Sequence, residues 1–455
     1  MASTEHEDRF DPTRRGFLLG AGVVGGGLVG SALGYAGGWY AAPTTAPPAG
    51  GGSGEVGTDG LVRPGGQSGT VPVSSPQGTD TVPFYGPRQA GIETPAQTHA
   101  VFVAMNLREG ADRDGIQRML KLLTDDSARL TQGQATLADT EPELAAAPAR
   151  LTVTFGFGPE LMRIVASGRA PSWLRDLPDF GIDRLQDRWS GGDLLLQVCG
   201  DDPVSLAHAR RMLLKDARAF TTVRWVQTGF RAARGSHPGG TTMRNLFGQV
   251  DGTGNPSRES GHMERVVWGG EADGTTSPLV PWVPNGTSLV LRRISMDLDS
   301  WDELDRPGKE LVVGRRLDTG APLTGEREHD EPDLEAVNPT GFSTISDIAH
   351  VRRSRTDNPD EAMLRRAYNY DDGPDLGSDD TDGATRPVSN AGLLFAAYQC
   401  DVDRQYVPIQ RRLDSSDHLN LWTTPIGSAV FAIPPGCTEG GFIGDVLFTE
   451  KTTTP

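Results

Sequence analysis

Asn245-Leu246-Phe247-Gly248-Gln249-Val250-Asp251-Gly252-Thr253-Gly254-Asn255-Pro256 holds one acid between glycines inside a strongly turn-forming stretch. Gly248, Gly252 and Gly254 remove side chains on both sides of Asp251, so the backbone can press against a flat ligand and leave one carboxylate projecting over its face. The same residues also make an ordinary surface turn in which Asp251 caps its own backbone, because Asp-Gly and Asn-Pro are common turn dipeptides. Taken alone, the segment leaves both readings open.

Outward from this stretch, apolar strand-like runs alternate with amphipathic helical ones. HAVFVAMNL from residue 99 is followed by a predicted helix over 113–130, with Ile116, Met119, Leu120, Leu123 and Leu130 at helical spacing. LTVTFGFG at 151–158, a short helix after Pro159, LLLQV at 194–198, a helix over 203–218 and the strand TTVRWVQTGF complete a first set. That order is one of a ferredoxin-like α+β unit, with helices on one face of an antiparallel sheet. TSLVLRRISMDL, LLFAAYQ, a helix near 405–413 and FIGDVLF supply a second set, with a long insertion at about 305–390. Two sheets that each cover one face with helices leave their other faces to meet, and a gap between them can house a flat apolar cofactor.

The chain has 455 residues, enough for one large or two fused domains, and 36% hydrophobic residues with eight tryptophans suffice for a core. A net charge of -17 argues against non-specific binding to nucleic acid or to an anionic membrane. The three cysteines, Cys199, Cys400 and Cys437, form no CxxC, so neither a zinc cluster nor a disulfide framework is suggested, and a single bridge stays open. Two of them lie in apolar strand-like runs, where a buried free thiol is the commoner outcome.

Near the start, Thr-Arg-Arg-Gly-Phe-Leu-Leu at 13–19 leads into an uncharged, glycine-rich apolar run to about Gly38. This pattern looks like a bacterial twin-arginine export signal, assigned to residues 1–42, with the Tat export machinery as a partner. The alternative is an N-terminal anchor, because the run approaches the roughly 20 residues that span a bilayer, although its glycine content lowers hydrophobicity. Residues 43–83 are mostly Gly, Pro, Ser and Thr and read as a disordered linker, too poor in large apolar side chains to offset the entropy of ordering.

The central segment is a GxxDG motif, Gly248 to Gly252, with Asn245-Leu246-Phe247 before it and Gly254-Asn255-Pro256 after it. In this form it resembles the dye-decolorizing peroxidases. The resemblance runs from Phe84-Tyr85-Gly86 and Gln89-Ala90-Gly91-Ile92 to Phe431 and Pro434-Pro435-Gly436. It implies two tandem ferredoxin-like halves, 84–245 and 246–452, with antiparallel sheets facing across a haem pocket. One haem b per chain is implied, with Gly252, Thr253, Gly254 and Arg365 among the residues that hold it. Of eight histidines, His350 in the segment SDIAHVRRSR matches the family's axial ligand to the haem iron. Asp401, just after LLFAAYQ, is read either as the carboxylate that orients His350 or as a strand-end turn residue. In MLRRAYNYDDG the first arginine, Arg365, matches the distal arginine, and Arg366 points elsewhere; a solvated basic cluster is the alternative. Tyr368 follows as a redox-active phenol candidate.

The implied reaction is the reduction of hydrogen peroxide and the oxidation of an organic donor of dye or phenol type through a ferryl intermediate. Asp251 would be its acid–base group and Arg365 its charge stabiliser. A rival of a different class is a haem-binding or deferrochelatase-like iron-acquisition protein, which needs His350 and an apolar slot but neither distal group. The export signal fits both and places the protein outside the cytoplasm: extracellular, on the cell wall or in the periplasm. A homo-oligomer is compatible with either.

Overall fold

A computed structural model describes residues 77–257, 261–271, 278–374 and 389–449. The expected export signal therefore lies outside the described residues, as does most of the expected linker. The end of that linker is ordered: Ala149 N donates to Gly78 O at 2.8 Å and Arg150 N to Asp80 O at 2.7 Å. These backbone bonds tie residues poor in apolar side chains to the edge of the core.

The N-terminal half runs β1 (His99–Leu107), α1 (Arg113–Thr131), β2 (Thr152–Phe157), α2 (Pro159–Val165), β3 (Leu194–Gly200), α3 (Pro203–Ala217) and β4 (Thr221–Phe230). The strands pair antiparallel in the order β2-β3-β1-β4, which is the ferredoxin-like arrangement. β1 is apolar almost throughout because both of its faces are covered. Val101, Val103 and Met105 pack with the helices, and Ala100, Phe102 and Ala104 face the other way. α1 starts where the Asp112 carboxylate accepts from Gly115 N, and it buries the predicted stripe of Ile116, Met119, Leu120 and Leu123. α3 is capped in the same way by Asp202 and lies alongside α1 on the outer face.

The C-terminal half contains α4 (Gly261–Trp268), β5 (Thr287–Met296), α5 (Leu298–Asp302), α6 (Arg306–Val313), α7 (His350–Ser354), β6 (Leu364–Arg365) and β7 (Tyr368–Asp371). β8 (Ala391–Gln399) follows, then a π-helical turn, Val402–Tyr406, that runs into α8 (Val407–Ser416), and finally β9 (Thr423–Ile433). Its antiparallel order, β9-β5-β8-β7, repeats that of the first half, and β6 extends the β7 edge along β8. FIGDVLF is not the closing strand. Gly444, at φ 91°, turns it into a 3₁₀ helix, Asp445–Leu447, whose neighbours Phe442 and Ile443 fill the first-half core. The closing strand is β9.

The two sheets face one another, as expected, and touch along both edges, through Phe157↔Ala432 and Phe230↔Asn369. At the second seam a Cβ on Gly229 would lie 2.6 Å from Tyr368 Cβ, so only glycine permits the approach. The gap between the sheets is not a haem pocket. Phe102, Leu195, Trp225, Leu289, Leu291, Tyr368, Leu394 and Phe431 fill it.

Candidate active site

Arg365 is opposite Ala397 in the β6–β8 register, and Leu364 is opposite Tyr398. Leu364 and Tyr398 belong to the packing between the sheets, whereas Phe395 and Leu393, which alternate with them along β8, pack on the outer side. Arg365 thus projects from the outer face of the second sheet, away from the inter-sheet core. Apolar side chains fill the space between the sheets where a haem was expected, and Arg365 lies on the opposite, outer face.

The GxxDG segment reaches the same place through a tight hairpin. Arg244 bridges Val250, Gly248 takes φ 79°, and Asn245 Oδ1 accepts from Phe247 N and Gln249 N at 3.1 and 3.2 Å. Asn245, not Asp251, supplies the side-chain cap of this turn. Asp251 follows the hairpin, its N–H held by Met243 O at 2.8 Å and its Oδ2 3.4 Å from Asn245 Nδ2. Gly252 takes φ 133°, a conformation that favours glycine. Thr253 turns its hydroxyl to Glu328 at 2.9 Å. A Cβ on Gly254 would come 3.4 Å from Arg365 Nη2, an ordinary contact distance that shows how closely this segment passes the guanidinium.

Asp251 and Arg365 line one cavity of about 130 Å³ with Arg231, Thr241, Thr242, Met243, Gly252, Asn255 and Ala367. Arg231 comes from the end of the first half's β4, and Nε donates to Ala367 O at 2.7 Å. Its guanidinium lies 4.9 Å above the Tyr368 ring. Burial pulls its pKa below the usual arginine range, Tyr368 and Asp251 partly offset that effect, and Arg366 adds to it. The pocket therefore sets two guanidiniums against one carboxylate. Sequence reading missed Arg231, which looks like any basic residue at a strand end.

His350 is the first residue of α7, after Ala349 at the N-cap. Nδ1 lies 2.6 Å from Asp417 Oδ2, with the imidazole 32% and the carboxylate 3% exposed. Nε2 has no hydrogen bond among the described residues. Burial opposes a charge on the ring, but the attraction and hydrogen bond of Asp417, with help from Asp251 and against Arg365, hold its pKa above the ordinary value. The charges of Asp251 and Arg365 both act on His350.

Asp401 is not the carboxylate that orients His350. Its Oδ1 accepts from Asp403 N at 2.9 Å and Arg404 N at 3.1 Å, capping the π-helical turn after β8. Asp417 holds that position, at the end of α8, where its Oδ1 also accepts from Leu419 N at 3.0 Å. Tyr368 lies on the inter-sheet side, fully buried, with its ionisation pushed far up by burial. Arg366 also points inward, to Thr94 O and Gln97 Oε1. Elsewhere, His208 is engaged with Asp139 at 2.8 Å, and His262 sits in α4 with Nε2 at 2.9 Å from Pro359 O. The three cysteines are free and buried.

These residues fit a haem. An imidazole with one nitrogen fixed on a carboxylate and the other free is the donor arrangement of a histidine-ligated iron, and a side-chain-poor segment gives a flat group room to approach. Comparison with known proteins agrees. The Dyp-type peroxidase N-terminal family model matches residues 89–231, and the C-terminal model matches residues 242–438. A dye-decolorizing peroxidase of Thermobifida fusca is 36% identical, with 97% of this chain and 98% of the relative covered. A deferrochelatase of Escherichia coli is 32% identical over 80% of this chain and 86% of its own. The crystal structure of a DyP-type peroxidase from Cellulomonas bogoriensis is 49% identical, with a TM-score of 0.76, covering 83% of this chain and 100% of that one. Two family models that together take in most of the chain, and a peroxidase relative matched almost end to end, put this chain in the Dyp-type peroxidase family of haem-dependent enzymes.

Proposed function

We propose that His350 Nε2 is the axial ligand of one haem b per chain, and that Asp251 and Arg365 carry out the proton and charge work of peroxide reduction. The observation that carries this reading is the convergence of a carboxylate and a guanidinium on one small cavity, within electrostatic reach of an imidazole whose ligating nitrogen is free. When bound, the haem supplies the redox chemistry. Asp251 accepts a proton from hydrogen peroxide and returns it to the oxygen that leaves as water. Arg365 offsets the negative charge that gathers on that oxygen without giving up its own proton. Asp417 keeps a proton on Nδ1 of His350, so that Nε2 presents its lone pair. A cavity of about 130 Å³ has room for peroxide and a few waters, each water taking about 30 Å³.

The pair Arg14 and Arg15 and the uncharged run after it support export of the folded protein by the twin-arginine route, to the cell exterior, the wall or the periplasm. A second reading, removal of iron from haem, is supported by the deferrochelatase relatives. Stopped-flow mixing of the haem-loaded protein with peroxide, followed at the Soret band, separates the two. Asp251→Asn and Arg365→Leu should each keep haem and each slow the reaction by about a hundredfold or more. If both variants react at the parent's rate while iron release from haem slows, the iron-removing reading takes over.

A further inference from the structure

Asn255 closes the turn after Asp251, with its N–H on Gly252 O at 2.9 Å. Its carboxamide reaches across to β6. Oδ1 accepts from Arg365 N at 2.9 Å and from Arg365 Nε at 3.3 Å, while Nδ2 donates to Arg365 O at 2.8 Å. β6 is two residues long and pairs with β8. Arg365's own N–H and C=O point away from β8, and a carboxamide, chemically a peptide group, takes the place of the missing strand beside them. The bond to Nε fixes the guanidinium as well, and neither Nη group has a hydrogen bond among the described residues. Both remain available to the cavity.

We propose that Asn255 is the positioning residue of this pocket, holding Arg365 in register with Asp251; the inference rests on the peroxidase reading above. The residue type matters. A neutral amide restrains the guanidinium and leaves its charge uncompensated, whereas a carboxylate there would pair with it and cancel the charge that the departing oxygen needs. Because Asn255 lies on the same turn as Asp251, one side chain sets the spacing between the acid and the cation. A misplacement of about 1 Å is enough to cost about a hundredfold in rate.

The test compares the haem-loaded parent with Asn255→Ala, Asn255→Asp, Arg365→Leu and the double variant Asn255→Ala/Arg365→Leu. Two quantities are read: the rate of reaction with peroxide, and the affinity for haemin on titration of the apo protein. Asn255→Ala should bind haemin as the parent does and react about tenfold to a hundredfold more slowly. In the Arg365→Leu background the same change should have almost no further effect. Asn255→Asp should keep haem and lose at least as much rate as Asn255→Ala. The inference is overturned if Asn255→Ala or Asn255→Asp reacts at the parent's rate, if haemin affinity falls in step with rate, or if the Asn255→Ala loss persists undiminished without Arg365. If Arg365→Leu itself reacts at the parent's rate, the role of Arg365 fails first and the role of Asn255 goes with it.

Discussion

Replacing Asp417 by Asn tests whether the orientation of His350 holds the haem. The carboxylate is 3% exposed and makes two bonds, Oδ2 to His350 Nδ1 at 2.6 Å and Oδ1 to Leu419 N at 3.0 Å. Asparagine can keep both only if the histidine changes tautomer. If its oxygen stays on Leu419, its NH2 faces Nδ1, the proton of the imidazole moves to Nε2, and the lone pair meant for iron is blocked. If the amide flips, the histidine is served and the NH2 opposes the Leu419 N–H. The first arrangement keeps both contacts but puts an N–H where iron needs a lone pair, the second leaves the Leu419 N–H unpaired, and both remove a charge-assisted bond, at about 2 kcal/mol, or roughly thirtyfold in haem affinity. Haemin titration of the apo protein measures this, and the Fe–His stretch of the reduced haem complex reports the weakened ligand. His350→Ala sets the limit of haem loss, and Asp401→Asn is the control that should leave both readouts unchanged. Parental affinity and an unchanged Fe–His stretch in Asp417→Asn would refute the reasoning.

Two further outcomes follow from other parts of the chain. Asp126 on α1 is raised from 3.8 to about 8, first by burial and then by a hydrogen bond with Asp216 on α3. The folded protein thus holds a proton that the unfolded chain releases, so this stability is fully present below about pH 4 and is lost as pH rises towards about 8, by up to about 1.4 kcal/mol per pH unit. Asp126→Asn should flatten that slope in denaturant titrations across this range; an unchanged slope rules the pair out as its source. Arg14→Lys with Arg15→Lys should leave the protein in the cytoplasm with its haem, as read by fractionation, and undiminished export would remove the twin-arginine reading.

Much of the fold was legible because β1, β2 and β3 are long, largely apolar, buried runs and the helices repeat at 3.6. β9 was not. TTPIGSAVFAI carries Pro425 and Gly427, which read as breaks, and Pro425 pairs with Ile294 where the β5–β9 register shifts, a bulge that tolerates proline inside a sheet. β6 and β7, of two and four residues, are too short to show a period. Two helix-covered sheets implied a shared gap but not its contents. The interdigitation of Phe102, Trp225, Tyr368 and Phe431 that fills it depends on pairings no local pattern encodes.

The same limit explains which residues of the cavity and its surroundings the sequence pointed to. Asp251, His350 and Arg365 stand in motifs, whereas their supports stand in none. Asp417 is 67 residues from His350 in sequence, and Asn255 is 110 from Arg365. Asp401 has the right residue type at a strand end, but the helical turn that begins there claims its oxygen first. Arg231 enters the cavity only because β4 closes on β7 at Phe230↔Asn369, a contact that Gly229 makes sterically possible. Asp251, Arg365 and His350 all belong to the second half, while the additional cation, Arg231, arrives across the seam from the first. A pocket assembled in this way ties its charge balance to the packing of one sheet edge against the other, so a side chain forced into position 229 should displace Arg231 from the Asp251 cavity without touching Asp251 or Arg365.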